Sequence, residues 1–222
     1  MIDVTRHRDV FDPLKWGMKR VDVIGLGATG SKVALSLAKL GVQNIHGWDH
    51  DVVEDHNLAN QAYDQRHVGV TKTTALANVI ERASSTLLAK HGEWTPDTRS
   101  WGQVVFCMVD SMTVRKQIFE KARINPFVQL VIDSRMGADM GYLHTYSPQD
   151  PVSLERYGAS LFSDDDAITE VSACGTAITV GPTGDIISGL AVWQFLRHVN
   201  GQKTHGELAI GAREPSLTDV WR

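Results

Sequence analysis

The chain has 222 residues, 42% hydrophobic and 22% charged, with 22 Lys+Arg against 26 Asp+Glu and a formal net charge of −4. That length suits one domain and the apolar share suffices for an ordinary core, which excludes general disorder, while the acidic balance argues against a nucleic-acid or membrane-surface coat. No apolar run approaches the roughly 20 residues of a membrane span, and the opening MIDVTRHRDVFDPLKWG lacks an apolar signal core, so a cytoplasmic chain is expected.

In chain order, Val21–Ile24 predicts a strand that enters a glycine turn. A helix follows, with Val33, Leu37 and Leu40 on one face and Gly41 at its end. NIHGWD (44–49) predicts a second strand closed by an acid. Leu76, Val79, Ile80, Ala83 and Leu87 stripe one face of a helix over about 72–90. VVFCMVD (104–110) and FVQLVID (127–133) are apolar runs of the kind buried on both faces of a parallel sheet, with a helix near 114–123 between them. This alternation predicts a Rossmann-like α/β fold with a doubly wound, mainly parallel sheet. Beyond it, MGYLHTYSP (140–148) predicts an added antiparallel strand, and 149–169, with Pro151, Gly158 and an acidic run, predicts a loop. An apolar helix over 186–199 and an edge strand in GELAIG complete the reading. Nothing divides the chain, so 1–222 reads as a single domain. Its parts are an N-terminal segment (1–19), a nucleotide-binding half (20–135) and a substrate-side or dimer half (136–222).

Gly25, Gly27 and Gly30 form G-x-G-x-x-G between strand and helix, where backbone can approach a phosphate at a helix N-terminus. Gly25 and Gly30 also have the gap of a P-loop, but Ser31-Lys32 reverses the required order and rejects that reading. Asp49 closes the second strand, where a carboxylate can hydrogen-bond a ribose in NAD enzymes and other nucleotide binders alike. Cys107 is expected in the core. Two cysteines cannot supply a four-thiolate zinc site, and the nine histidines show no clustered ligand spacing.

The segment DHDVVEDHNLANQAYDQRHVGVTK (49–72) sets Asp49, Asp51, Glu54, Asn57, Gln61, Gly69 and Lys72 in order. With the glycine motif and Asp110, this pattern resembles the ThiF, MoeB and HesA adenylyltransferases of the ubiquitin-activating-enzyme-like superfamily. The resemblance covers 20–135 well and 186–199 more loosely. It implies ATP rather than NAD, with magnesium. It also implies activation of the C-terminal carboxylate of a small ubiquitin-like or sulfur-carrier protein as an acyl-adenylate, releasing pyrophosphate, by a homodimer. Carried over, Asp49 would hold the ribose, Asn57 and Lys72 the phosphates and Asp110 the magnesium. Gly25, Gly27, Gly30, Asp51 and Gln61 would complete the nucleotide site.

Asn60 stands where the family pattern has an arginine. A compensating cation is expected from Arg66, or from Arg6, Arg8 or Arg115. Cys174, in SACGTA, matches a place where some sulfur-transfer members carry a covalent cysteine; a packing residue is the other reading. Two rival functions stay open. One is a NAD-dependent oxidoreductase, which the glycine motif and Asp49 suit equally. The other is a non-catalytic nucleotide-binding partner subunit. Neither a nucleic-acid nor a membrane partner is expected.

Overall fold

The computed structural model describes residues 2–84, 86–164 and 178–220. Eight strands form one sheet in the order β3-β2-β1-β4-β5-β6-β7-β8. The first five are β1 (Val21–Ile24), β2 (Ile45–Trp48), β3 (Leu88–His91), β4 (Val104–Cys107) and β5 (Leu130–Met136), all parallel. Then β6 (Met140–Tyr146), β7 (Glu207–Gly211) and β8 (Ser216–Asp219) continue the sheet antiparallel. The Rossmann-like sheet with an antiparallel C-terminal part is therefore as expected.

Helices cover both faces. On one side α2 (Gly30–Leu40), α3 (Lys72–Ser84) and α6 (Gly181–Val199) bury Val33, Leu37, Leu76, Ile80, Ile187 and Phe195 against Val21, Val23 and Phe106. On the other, α4 (Met112–Ala122) and α5 (Pro151–Ala159) bury Ile118, Phe119 and Tyr157 against Ile24, Val105, Cys107 and Val131. Because successive strand residues face opposite ways, a strand such as VVFC must be apolar throughout to serve both layers. One short helical turn, α1 (Pro13–Trp16), docks Trp16 edge-on to Phe195 at 5.1 Å. Among the described residues no helix is long and apolar enough to cross a membrane.

Four expectations are corrected. The helix read over 72–90 ends at Ser84, whose hydroxyl turns back to the Ile80 carbonyl at 2.9 Å; Leu87 is exposed, and Leu88–His91 forms edge strand β3 instead. The loop read over 149–169 contains α5, started by an Asp150 carboxylate that accepts the Val152 N–H and by Pro151 in the first turn. GELAIG is an inner strand, because β8 pairs outside it. The last helix also begins earlier than 186, with Pro182 in its first turn.

Candidate active site

The strand order reverses between β1 and β4: the chain leaves β1 toward β2 on one side, and β4 enters on the other. Ligands of open α/β sheets bind outside the carboxyl ends of strands at such a point. The glycine turn lies there, between Ile24 and Gly30. Gly25 has φ +87°, and a Cβ on it would sit 2.6 Å from the Met108 carbonyl oxygen. A Cβ on Gly30 would sit 1.8 Å from the Gly25 carbonyl oxygen, so the helix starts directly upon the turn. Among the described residues, a Cβ on Gly27 would meet nothing within 4 Å. Two of the motif's glycines are thus packed against protein, and the middle one faces open space beside the α2 N-terminus, where partial positive charge gathers.

Asp49 is fixed against this turn. Its Oδ2 accepts the Leu26 N–H at 2.7 Å and its Oδ1 the Asp51 N–H at 2.8 Å, and each oxygen keeps a further lone pair for a ligand hydroxyl. Tyr63, buried, donates its hydroxyl to the Leu26 carbonyl at 2.7 Å and braces the same turn. Lys72 opens α3 with its ammonium 2.7 Å from the Asp51 carboxylate. That hydrogen bond holds the half-exposed Asp51 carboxyl below its ordinary range. The ammonium has two more donors to give. Asp49, His50 and Asp51 bring a ligand atom each within 4.8 Å of one another.

Asn57 is buried, and its Oδ1 accepts the Glu54 N–H at 2.9 Å, closing a short 3-10 turn over Asp55–Ala59. Gln61 hangs its N–H on the Asn57 carbonyl at 3.0 Å. Asn60 donates its side-chain amide to the Thr179 hydroxyl, so the neutral segment at 59–61 leans on the start of α6. Asp110 lies exposed in the loop after β4, two residues past Met108, whose backbone touches Gly25. Its helix is capped by the neighbouring Ser111 rather than by Asp110.

The expected compensating arginines stand elsewhere. Arg66 is exposed and clasps Asp64 through Nη2 at 2.6 Å, which lowers that carboxyl to about 2. It lines a surface cleft with Val79, Arg82 and Ala83, toward the C-terminal end of α3. The segment bearing Arg6 and Arg8 sits at the far end of α2: His7 Nε2 lies 3.3 Å from the Leu40 carbonyl oxygen. An 11-residue helix spans about 16 Å, so neither arginine is near its own chain's turn. Arg115, the remaining candidate for the compensating cation, is buried. Its Nε pairs with Asp133 at 2.8 Å, and its other nitrogens reach the carbonyls of Asp110 at 3.2 Å, Ser134 at 2.7 Å and Val109. Burial alone would raise the Asp133 carboxyl, but Arg115 and Arg135 outweigh it and hold it low. Arg115 is therefore an internal brace that shapes the loop carrying Asp110. The signal for it was an acid, Asp133, in an apolar strand run: a charge buried there needs a partner. Cys107 is wholly buried, as expected, and burial pushes its thiol up. Cys174 lies outside the described residues.

The ThiF family model matches residues 12–210. The chain belongs to the ThiF family. Among solved structures similar to this ThiF-family chain, PaaA has a TM-score of 0.72 at 18% identity, covering 96% of this chain and 66% of its own. E. coli MccB determined with ATP has a TM-score of 0.72 at 15% identity, with 93% and 64% covered. The microcin C7 biosynthetic enzyme MccB in complex with N-formylated MccA has a TM-score of 0.75 at 16% identity, with 94% and 65% covered. At these identities the likeness is one of fold. An uncharacterized protein of Sinorhizobium fredii, y4qC, is 42% identical over 64 residues, which is 29% of this chain and 11% of that protein. The chain thus spans less than two thirds of each of these structures' chains and a small part of the curated relative.

Proposed function

We propose that this ThiF-family chain binds ATP at the glycine turn and activates a carboxylate as an acyl-adenylate, releasing pyrophosphate. The observation that carries this reading is the open face of Gly27 at the α2 N-terminus, flanked by a fixed Asp49 and by Lys72 at the start of α3. Attack of a carboxylate on the α-phosphate brings two anions together, so the site must supply positive charge and oriented N–H donors. Lys72 meets the phosphates with its remaining donors, Asn57 orients them with its amide, Gln61 adjoins them, and Asp49 holds the ribose. The exposed Asp110 carboxylate in the loop after β4 is of the hard oxygen type that suits magnesium. When bound, the ion would neutralise phosphate charge.

The acyl substrate in this reading is the C-terminal carboxylate of a small ubiquitin-like or sulfur-carrier protein, or of a peptide. The family membership supports it, as do the structures of E. coli MccB determined with ATP and with MccA. We further read the chain as a cytoplasmic homodimer in which Arg6 or Arg8 of a second copy adds charge, and in which Cys174 is the residue to test for a covalent step. Titrating the purified protein with ATP·Mg and with NAD tests the assignment. A ligand at ~100 times its dissociation constant stabilises by about 2.7 kcal/mol, readable in the melting temperature. ATP·Mg is expected to stabilise and NAD not; equal stabilisation by NAD, or none by ATP, overturns it.

A further inference from the structure

Lys32 stands in the first turn of α2, directly after the glycine turn, and its ammonium reaches across to the start of α6. Nζ donates to the Gly181 carbonyl at 2.9 Å and pairs with the Asp185 carboxylate at 2.7 Å. The place it occupies touches the site already described. A point one Cβ out from Gly184 is 3.4 Å from Lys32 Nζ and 3.3 Å from the carbonyl oxygen of Ala28, which belongs to the glycine turn. The Gly181 position in turn packs against the Ala59 carbonyl, beside the neutral Asn60. The N-termini of α2 and α6 therefore converge here, each with its partial positive charge, and a lysine is added between them.

Such a concentration of positive charge favours an anion with more charge than one carboxylate. Asp185 is a weak holder of the ammonium. Its side chain is 67% exposed, while that of Lys32 is 16% exposed, and an ion pair with one member in water is held loosely. A lysine stem is long and flexible enough to re-aim its ammonium.

Resting on the adenylation reading, we propose that Lys32 is the cation that receives the β- and γ-phosphates of ATP, and that Asp185 is its exchangeable counter-ion, given up when the nucleotide binds. The ammonium moves from one anion to another; no bond is made or broken. Lys32 thereby supplies, from α2, charge that Asn60 does not.

Calorimetric titration of wild type, Lys32→Met, Lys32→Arg and Asp185→Asn with AMP and with ATP, magnesium present throughout, tests this. Lys32→Met is expected to lose at least 10-fold in ATP affinity and less than 2-fold in AMP affinity, with Lys32→Arg close to wild type. Asp185→Asn, a surface change that removes the competing anion, is expected to raise ATP affinity a few-fold without moving AMP. Should Lys32→Met fail to fold, Asp185→Asn decides alone. Unchanged ATP-to-AMP preference in the folded variants overturns the assignment and leaves the adenylation reading standing. A wild type that binds neither nucleotide overturns both.

Discussion

An ammonium 2.7 Å from a half-exposed carboxylate, as Lys72 is from Asp51, contributes little to folding because water can take over the carboxylate. Lys72→Met, which keeps most of the buried stem, should therefore lower stability by less than about 1 kcal/mol. If Lys72 meets the phosphates, the same change should cut ATP–pyrophosphate exchange by about 100-fold, the scale of losing one preorganised charge donor. Urea unfolding and exchange assays on the one variant check both halves. The buried pair behaves oppositely. Asp133 is wholly enclosed between Arg115 and Arg135 and also accepts the Tyr157 hydroxyl at 3.2 Å. Asp133→Asn would strand the buried Arg115 guanidinium and weaken the hold on the partly buried Arg135, with an expected loss of about 3–5 kcal/mol in urea unfolding.

The glycine motif allows a sharper division at the level of the turn and its helix. Gly30→Ala places a methyl group 1.8 Å from the Gly25 carbonyl oxygen and should leave little soluble protein. Gly27→Ala adds a methyl group to open space, so its melting temperature should stay within a degree or two of wild type while nucleotide affinity falls at least 10-fold. Differential scanning fluorimetry with and without ATP reads both quantities. The G-x-G-x-x-G pattern identified this turn without saying which glycines pack against protein and which one is left open among the described residues. That division depends on Met108 and Gly25 meeting across strands far apart in sequence. Other elements were hidden for local reasons. The stripe ending in Leu87 kept helical spacing for one turn beyond Ser84, and LAKH buries only Leu88 fully, too little pattern to announce an edge strand. Asp150-Pro151 did carry a helix-start signal, an N-cap followed by a proline in the first turn, but the same residues also suit a turn. The order Asp49 to Lys72 was legible because one short stretch holds it. The placement of Lys32 was not, because it is decided by α6, some 150 residues later.

At the scale of the whole molecule, the antiparallel addition buries a histidine on its first strand, β6. His144 on β6 faces Asp133 on β5 and Glu207 on β7, and it stands over Tyr157. Burial, and after it the nearby Arg135, lowers its pKa from 6.5 to about 4. Between those values the unfolded chain takes up a proton that the folded chain refuses, so stability falls as pH falls through that window. The full loss is up to roughly 3 kcal/mol. Urea midpoints measured from pH 6.5 down to 5, above the range where most carboxylates titrate, should decline in wild type. In His144→Asn the decline should be flatter. A slope left unchanged by the substitution would assign the effect to other histidines.

The position of β4 has a consequence for synthesis. As the chain leaves the ribosome, β1, β2 and β3 emerge first and can pair side by side, but the second edge of β1 waits for Val104–Cys107. For some 80 residues of elongation, VDVI therefore presents unpaired backbone groups, an open template for another nascent chain. A release-arrested chain stopped near residue 100 should be retained by chaperones or aggregate. One released with every strand through β8 emerged, so that β1, β4, β5 and β6 are paired on both edges, should not.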